Sequence, residues 1–192
     1  MENIFLDWGL SWSISKITPH ILMLLIGLIL TVKIKRIHMV FRILLLPVPF
    51  ILYFIFYPIY QGDFSNNNLS TQVGNLKMLK DNELSVLAIP GCPFCHESIR
   101  DLKKIKKRTK TTGITFYVIT DDVTTLDWYR EEANGSFDIV RLSPETEGIK
   151  IVTGGSFPTF ILRDGDQLTA WSNSNFGVRA KDEVEKQLKK GS

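Results

Sequence analysis

Cysteine is nearly absent from this chain: two residues in 192, Cys92 and Cys95. A pair at that spacing cannot build the several-bridge framework of a small secreted scaffold, and it falls short of the three or four ligands a Cys-rich zinc site needs. Histidine is scarce as well, and downstream of His96 the chain has neither histidine nor methionine. Charge of either sign is no more than balanced, at a formal +3, which removes the global attraction that a nucleic-acid binder shows. No internal repeat is visible. The chemistry therefore has few residues to rest on, and the expectation is no metal, no cofactor and no nucleic-acid partner.

What the chain does have is a lopsided distribution of apolar residues. Positions 43–60 read ILLLPVPFILYFIFYPIY, without a charge, a length that crosses a bilayer with Tyr57 and Tyr60 at the interface. The prolines at 47, 49 and 58 would break a helix in water, but membrane helices tolerate them where neighbours satisfy the freed carbonyls. Positions 17–34, ITPHILMLLIGLILTVKI, form a second candidate span between Lys16 and Lys33, whose long side chains reach back to the interface. A cleaved signal peptide would need a basic start, whereas MENIFLDWGL carries Glu2 and Asp7 and no base. The reading is a tail over 1–16, one membrane helix over 17–34 and another over 38–60. The short loop between them holds Lys33, Lys35, Arg36 and His38, with Arg42 following. Basic loops stay cytoplasmic, so both termini are expected on the extracytoplasmic side, periplasmic or at the cell surface, where disulfides form.

Residues 61–80 open with the Asn- and Ser-rich QGDFSNNNLSTQVGN and read as a linker. A soluble domain is expected over 81–190. LSVLAI (84–89) is a buried-strand pattern ended by Pro90 and Gly91. The cysteines then open a helix in which Ile99, Leu102 and Ile105 recur at helical spacing. ITFYVIT (114–120) is a second strand. Thr124 with Asp127 resembles a capping box for a helix through Ala133, which Gly135 is placed to stop. FDIVRLS (137–143) reads as a third strand and PETEGIKIV (144–152) as a short helix. FPTFILRDGDQLTAWS (157–172) reads as two strands joined at Asp164-Gly165, a hairpin signal. Asn175 is the expected cap of a final helix.

Cys92-Pro93-Phe94-Cys95-His96 has two chemical readings. A Cys-x-x-Cys-His run can attach a c-type haem, with His96 as one axial ligand and a second Met or His opposite it. The second ligand would have to come from Met78, from His20 or His38, or from Met23 or Met39, all upstream of the motif. A strand leading in and a proline between the cysteines suit a redox dithiol better, which leaves His96 as a helix-surface residue or one that interacts with the dithiol. At a helix N-terminus free N–H groups and the helix dipole favour negative charge, which makes Cys92 the expected exposed, nucleophilic thiolate. Pro93 fits the first helical position because its missing N–H has no partner there anyway. Cys95, one turn along, is the expected resolving thiol. A static local disulfide is the bland alternative, although a loop this small stabilises little.

The order β-α-β-α-(β-α)-β-β-α, with the Cys pair where the first strand meets the first helix, resembles the thioredoxin-like superfamily. Ser156-Phe157-Pro158-Thr159-Phe160 looks like the cis-proline segment that faces the cysteines in that superfamily, so the resemblance implies that Phe157 and Pro158, with Pro93 and Phe94, support the Cys92–Cys95 dithiol. The Pro-Phe dipeptide is similar to the Pro-Tyr of glutaredoxins, but their glutathione-holding lysine and Gly-Gly-x-x-Asp turn are replaced by Ile89-Pro90-Gly91 and by the run from Trp171 to Gly177. Val86 stands where thioredoxins carry a buried aspartate. The anchor, the added FDIVRLSPETEG and FPTFILRDGDQL resemble membrane-tethered thiol–disulfide oxidoreductases of the TlpA/ResA type, with Gly91 in place of their usual tryptophan. The expected architecture is an α/β thioredoxin-like domain preceded by two transmembrane helices. The implied activity is disulfide exchange with extracytoplasmic client proteins that carry cysteines, coupled to a membrane redox partner or complex. A non-catalytic subunit of a membrane complex is the alternative. The basic run Lys103, Lys104, Lys106, Lys107, Arg108 and Lys110 reads as a solvated face at a helix C-terminus, the alternative being contact with anionic lipid.

Overall fold

The computed structural model describes residues 1–33, 39–65, 69–70, 79–110, 113–146, 148–165 and 167–190. The basic-loop residues Lys35, Arg36 and His38, Met78, most of the linker and the terminal Gly191-Ser192 lie outside the described residues. The chain forms two compact units, Met1–Phe64 and Ser65–Ser192.

In the first unit the N-terminal tail is itself helical, as α1 (Glu2–Asp7). The apolar helix α2 (Trp12–Lys33) begins five residues before the expected start at 17 and carries Pro19 within it. It is the one described helix long and apolar enough to cross a membrane. The segment expected as a single helix over 38–60 is instead broken into α3 (Met39–Leu45) and α4 (Val48–Phe56), and the chain leaves helical geometry at Tyr57. The physical reason is proline chemistry: Pro47 and Pro49 lack the N–H groups that would continue the ladder, and Pro47 restarts the helix as its N-cap. α4 packs on α2. The backbones come close at Gly27, since a side chain there would collide with the Leu46 carbonyl at the break. His20 secures the far end, with Nδ1 2.9 Å from the Lys16 carbonyl and Nε2 3.1 Å from the Tyr57 carbonyl. Its ring meets Phe50, Tyr53 and Phe54 edge-on. A short 3₁₀ turn, Gln61–Asp63, follows, and Asp63 lies 3.7 Å from Lys16.

The second unit is a mixed α/β sheet with helices on its faces, resembling the thioredoxin fold. Its elements are β1 (Leu69–Ser70), β2 (Leu84–Ala88), α5 (Pro93–Thr109), β3 (Ile114–Ile119), α6 (Val123–Ala133), β4 (Asp138–Leu142), α7 (Ile149–Thr153), β5 (Thr159–Asp164), β6 (Gln167–Ser172) and α8 (Val178–Lys190). The strand order is β1-β6-β5-β2-β3-β4, with β2, β3 and β4 parallel to one another, β5 antiparallel to β2, and β6 antiparallel to β5. β1 departs from the expected linker: two of its residues pair with Thr169 and Ala170 and extend the sheet at the β6 edge.

Register explains the core, because residues two apart share a sheet face. Val86 pairs with Phe116 on one side and Phe160 on the other. Tyr129 of α6 lies against Phe116, and α5 packs against both α6 and α8, so these three helices share that face. Ile99, Leu102 and Ile105 of α5 are buried as the helical spacing predicts, each contributing about 1.5–3 kcal/mol. The opposite face buries Leu87, Tyr117, Ile161 and Ala170 with Val152 of α7 and Leu79.

Three helix starts in this unit differ from expectation. α6 is capped by Asp122, not Thr124. α7 starts at Ile149 rather than Pro144, because Gly148 before it takes a left-handed φ of 86°. α8 starts at Val178, and Asn175 instead occupies the turn after β6, its N–H donating to the Ser172 carbonyl.

Candidate active site

The junction of β2 and α5 places the two cysteines. β2 ends at Ala88, Gly91 turns the chain with φ 69°, and α5 starts at Pro93 with Cys92 as its N-cap. Proline at this first position wastes no donor. Cys92 and Cys95 are joined in a disulfide with their Cα atoms 5.2 Å apart. The Cys95 N–H donates to the Cys92 sulfur at 3.2 Å, so that sulfur does the work a serine or aspartate oxygen does at other helix starts. The Ser98 hydroxyl donates to the Cys95 carbonyl at 2.7 Å. Cys95 is wholly buried, and Cys92, expected as the exposed thiol, is itself only 8% exposed.

The loop before β5 faces this junction. The Phe157–Pro158 peptide bond is cis, and the Phe157 carbonyl oxygen lies 3.8 Å from the Cys92 sulfur. A reduced Cys92 thiol therefore has an acceptor in front of it. Phe157 is half-buried and packs on the Leu87–Tyr117 core, while Pro158 is buried. Phe94 is 55% exposed beside the cysteines. The structure thus brings together Cys92, Cys95, Pro93, Phe157 and Pro158, with Phe94 projecting from the same turn.

Sequence reasoning missed the contribution of α6. His96 reads from the sequence as a helix-surface residue, yet its ring stacks on Trp128 at 3.9 Å and meets the edge of Tyr129 at 5.3 Å. Tyr129 is buried, and its hydroxyl donates to the Ile89 carbonyl at 3.1 Å. Burial pushes the Tyr129 hydroxyl up to about 12, so it stays protonated and remains a donor at any ordinary pH. The one available signal is the pair of adjacent aromatics, Trp128 and Tyr129, in α6.

The basic run of α5 is partly engaged within the fold. Lys103 donates to the Glu132 carbonyl, Lys104 lies 3.8 Å from Asp101, and Arg108 pairs with Glu185. A cavity of about 390 Å³ lies along β4 and the end of α6, lined by residues such as Arg130, Phe137 and Asp138, and holds none of the cysteine-loop residues. Among the described residues no three His, Cys, Asp or Glu side chains are placed to hold a metal ion.

No family model and no curated protein matches the chain. Two solved structures are similar to part of it. One is a secreted Mycobacterium tuberculosis disulfide oxidoreductase homologous to E. coli DsbE, at 19% identity over 56% of this chain and 81% of that one, with a TM-score of 0.37. The other is a thiol:disulfide interchange protein of the thioredoxin family from Chlorobium tepidum TLS, at 18% identity over 63% of this chain and 92% of that one, also with a TM-score of 0.37.

Proposed function

We propose that this chain is a membrane-anchored thiol–disulfide oxidoreductase that exchanges disulfides with extracytoplasmic protein thiols through Cys92 and Cys95. The observation that carries the reading is the Cys92–Cys95 disulfide at the N-terminus of α5, with the Cys95 N–H on the Cys92 sulfur and the Phe157 carbonyl facing it. Helix N-terminal donors of this kind stabilise a thiolate.

In the reducing direction the Cys92 thiolate attacks one sulfur of a client disulfide. A mixed disulfide forms and the other client sulfur leaves as a thiolate. Cys95, deprotonated, then attacks the Cys92 sulfur, closing the 92–95 bond and releasing the second client thiol. Two electrons pass to the client, and the oxidising direction is the reverse. Two cysteines cannot relay electrons across a bilayer, so a reductase role calls for a separate membrane redox partner. Anchoring rests on α2, and the extracytoplasmic placement on the basic residues between the apolar segments.

The test is mixed-disulfide trapping with the full-length chain in its membrane. Cys95→Ser is expected to accumulate Cys92-linked clients that migrate as adducts on non-reducing gels, and Cys92→Ser to lose turnover entirely. Turnover retained in Cys92→Ser sinks the reading. A disulfide that never exchanges with glutathione buffers would leave the domain as a non-catalytic subunit of a membrane complex.

A further inference from the structure

The Cys-x-x-Cys motif is held at both of its flanks by one helix. Upstream, Ile89 lies one residue past the end of β2, and the Tyr129 hydroxyl donates to its carbonyl at 3.1 Å. Downstream, His96 follows Cys95 directly, and its ring is stacked on Trp128. Trp128 and Tyr129 are neighbours on α6 and contact each other edge to face at 5.0 Å. The segment from Cys92 to Cys95 therefore sits between two anchor points supplied by adjacent side chains. The helix that supplies them is separated from the motif in sequence by the rest of α5 and all of β3.

We infer that Tyr129 and Trp128 are positioning residues for the dithiol, fixing the first turn of α5 so that the Cys95 N–H stays aimed at the Cys92 sulfur. The inference rests on the oxidoreductase reading and deepens it, since it names what sets the reactivity of that site. Only the Cys92 thiolate gains charge-assisted strength from the Cys95 N–H, so the alignment favours the reduced form of the pair. Loosening either anchor lets the turn rotate away from that alignment. The thiolate then forms at higher pH, and the exchange equilibrium moves toward the disulfide.

The experiment uses the full-length chain in detergent micelles. Tyr129→Phe removes one hydroxyl and keeps the buried ring, Trp128→Ala removes the stack on His96, and Trp128→Phe restores an aromatic face. Two quantities are read: the exchange constant with the glutathione couple, and the pH profile of Cys92 alkylation by iodoacetamide. The thermal unfolding midpoint is followed alongside. Tyr129→Phe and Trp128→Ala are each expected to shift the exchange constant about two- to tenfold toward the disulfide, the weight of one hydrogen bond, and to move the alkylation profile to higher pH. Trp128→Phe is expected to lie close to the parent. A lower unfolding midpoint with unchanged exchange constant and pH profile would mean that the rings only support the fold, and the inference fails. If Trp128→Ala does not fold, Tyr129→Phe decides alone. A parent chain that never exchanges with glutathione overturns the oxidoreductase reading itself, which is a different result from a parent that cycles and variants that match it.

Discussion

The Arg108 guanidinium grips the Glu185 carboxylate with two nitrogens, Nε to Oε1 at 2.6 Å and Nη2 to Oε2 at 3.2 Å. The contact joins the last turn of α5 to α8, and Glu185 is 4% exposed. A buried ion pair contributes little over a well-packed apolar pair, but removing Arg108 takes away the two close bonds of the buried Glu185 carboxylate and leaves it the longer contact with Lys189 Nζ at 3.7 Å. Arg108→Met is therefore expected to destabilise the domain by less than the roughly 3–5 kcal/mol of a wholly uncompensated buried charge, while Arg108→Met with Glu185→Met returns most of that loss. Thermal unfolding of the two variants beside the parent checks it, and equal losses in both would contradict the argument.

Much of the domain is legible in the sequence because its signals are local. LSVLA and ITFYVI are short apolar runs, and both form central strands; Asp164-Gly165 joins β5 to β6 where the turn chemistry places it. The Cys-x-x-Cys position at a helix start follows from Pro90, Gly91 and Pro93. What is not legible depends on choices between near-equal partners or on distant ones. Asp122 and Thr124 are both good caps, and the structure has the Thr124 hydroxyl donating to Asp122 instead of capping. Leu69 and Ser70 carry no strand pattern, since their pairing with β6 uses main-chain groups. His96 of α5 meets Trp128 of α6, a contact that no spacing rule within one helix reports. The break at Pro47 turns on whether neighbours satisfy the freed carbonyls, a tertiary matter.

Asp122 gives a pH signature. Its carboxylate accepts from the hydroxyls and backbone N–H groups of Thr124 and Thr125, and the two hydroxyl bonds contribute most to lowering it from 3.8 to about 2. A carboxyl depressed in the folded state adds stability that is complete above its unfolded value and disappears as pH falls through the folded one. The contribution is thus expected to vanish between about pH 4 and pH 2. Asp122→Asn should flatten the acid limb of the unfolding midpoint in that window and leave its slope near neutrality alone. An identical acid limb in the variant would show that the cap does not couple to folding.

Gly27 tests the helical hairpin of the first unit. Its missing side chain lets α2 approach the Leu46 carbonyl at the turn between α3 and α4, and Pro49 Cδ would lie 3.5 Å from any Cβ placed there. The obstruction is main chain, so it cannot rotate aside as a flexible side chain would. Overpacking at such a contact costs about 1–3 kcal/mol. Gly27→Leu is therefore expected to separate α2 from α4, and Gly27→Ala to do so less. Hydrogen exchange of the full-length chain in micelles reads the effect directly. Amides of Val48–Phe56 should exchange faster in the order parent, Ala, Leu, while those of β2 and β3 stay unchanged. Protection of Val48–Phe56 that does not depend on residue 27 would mean that α4 is held by the His20 bridge to Tyr57 and its aromatic surround, and that the Gly27 contact contributes nothing to the pairing.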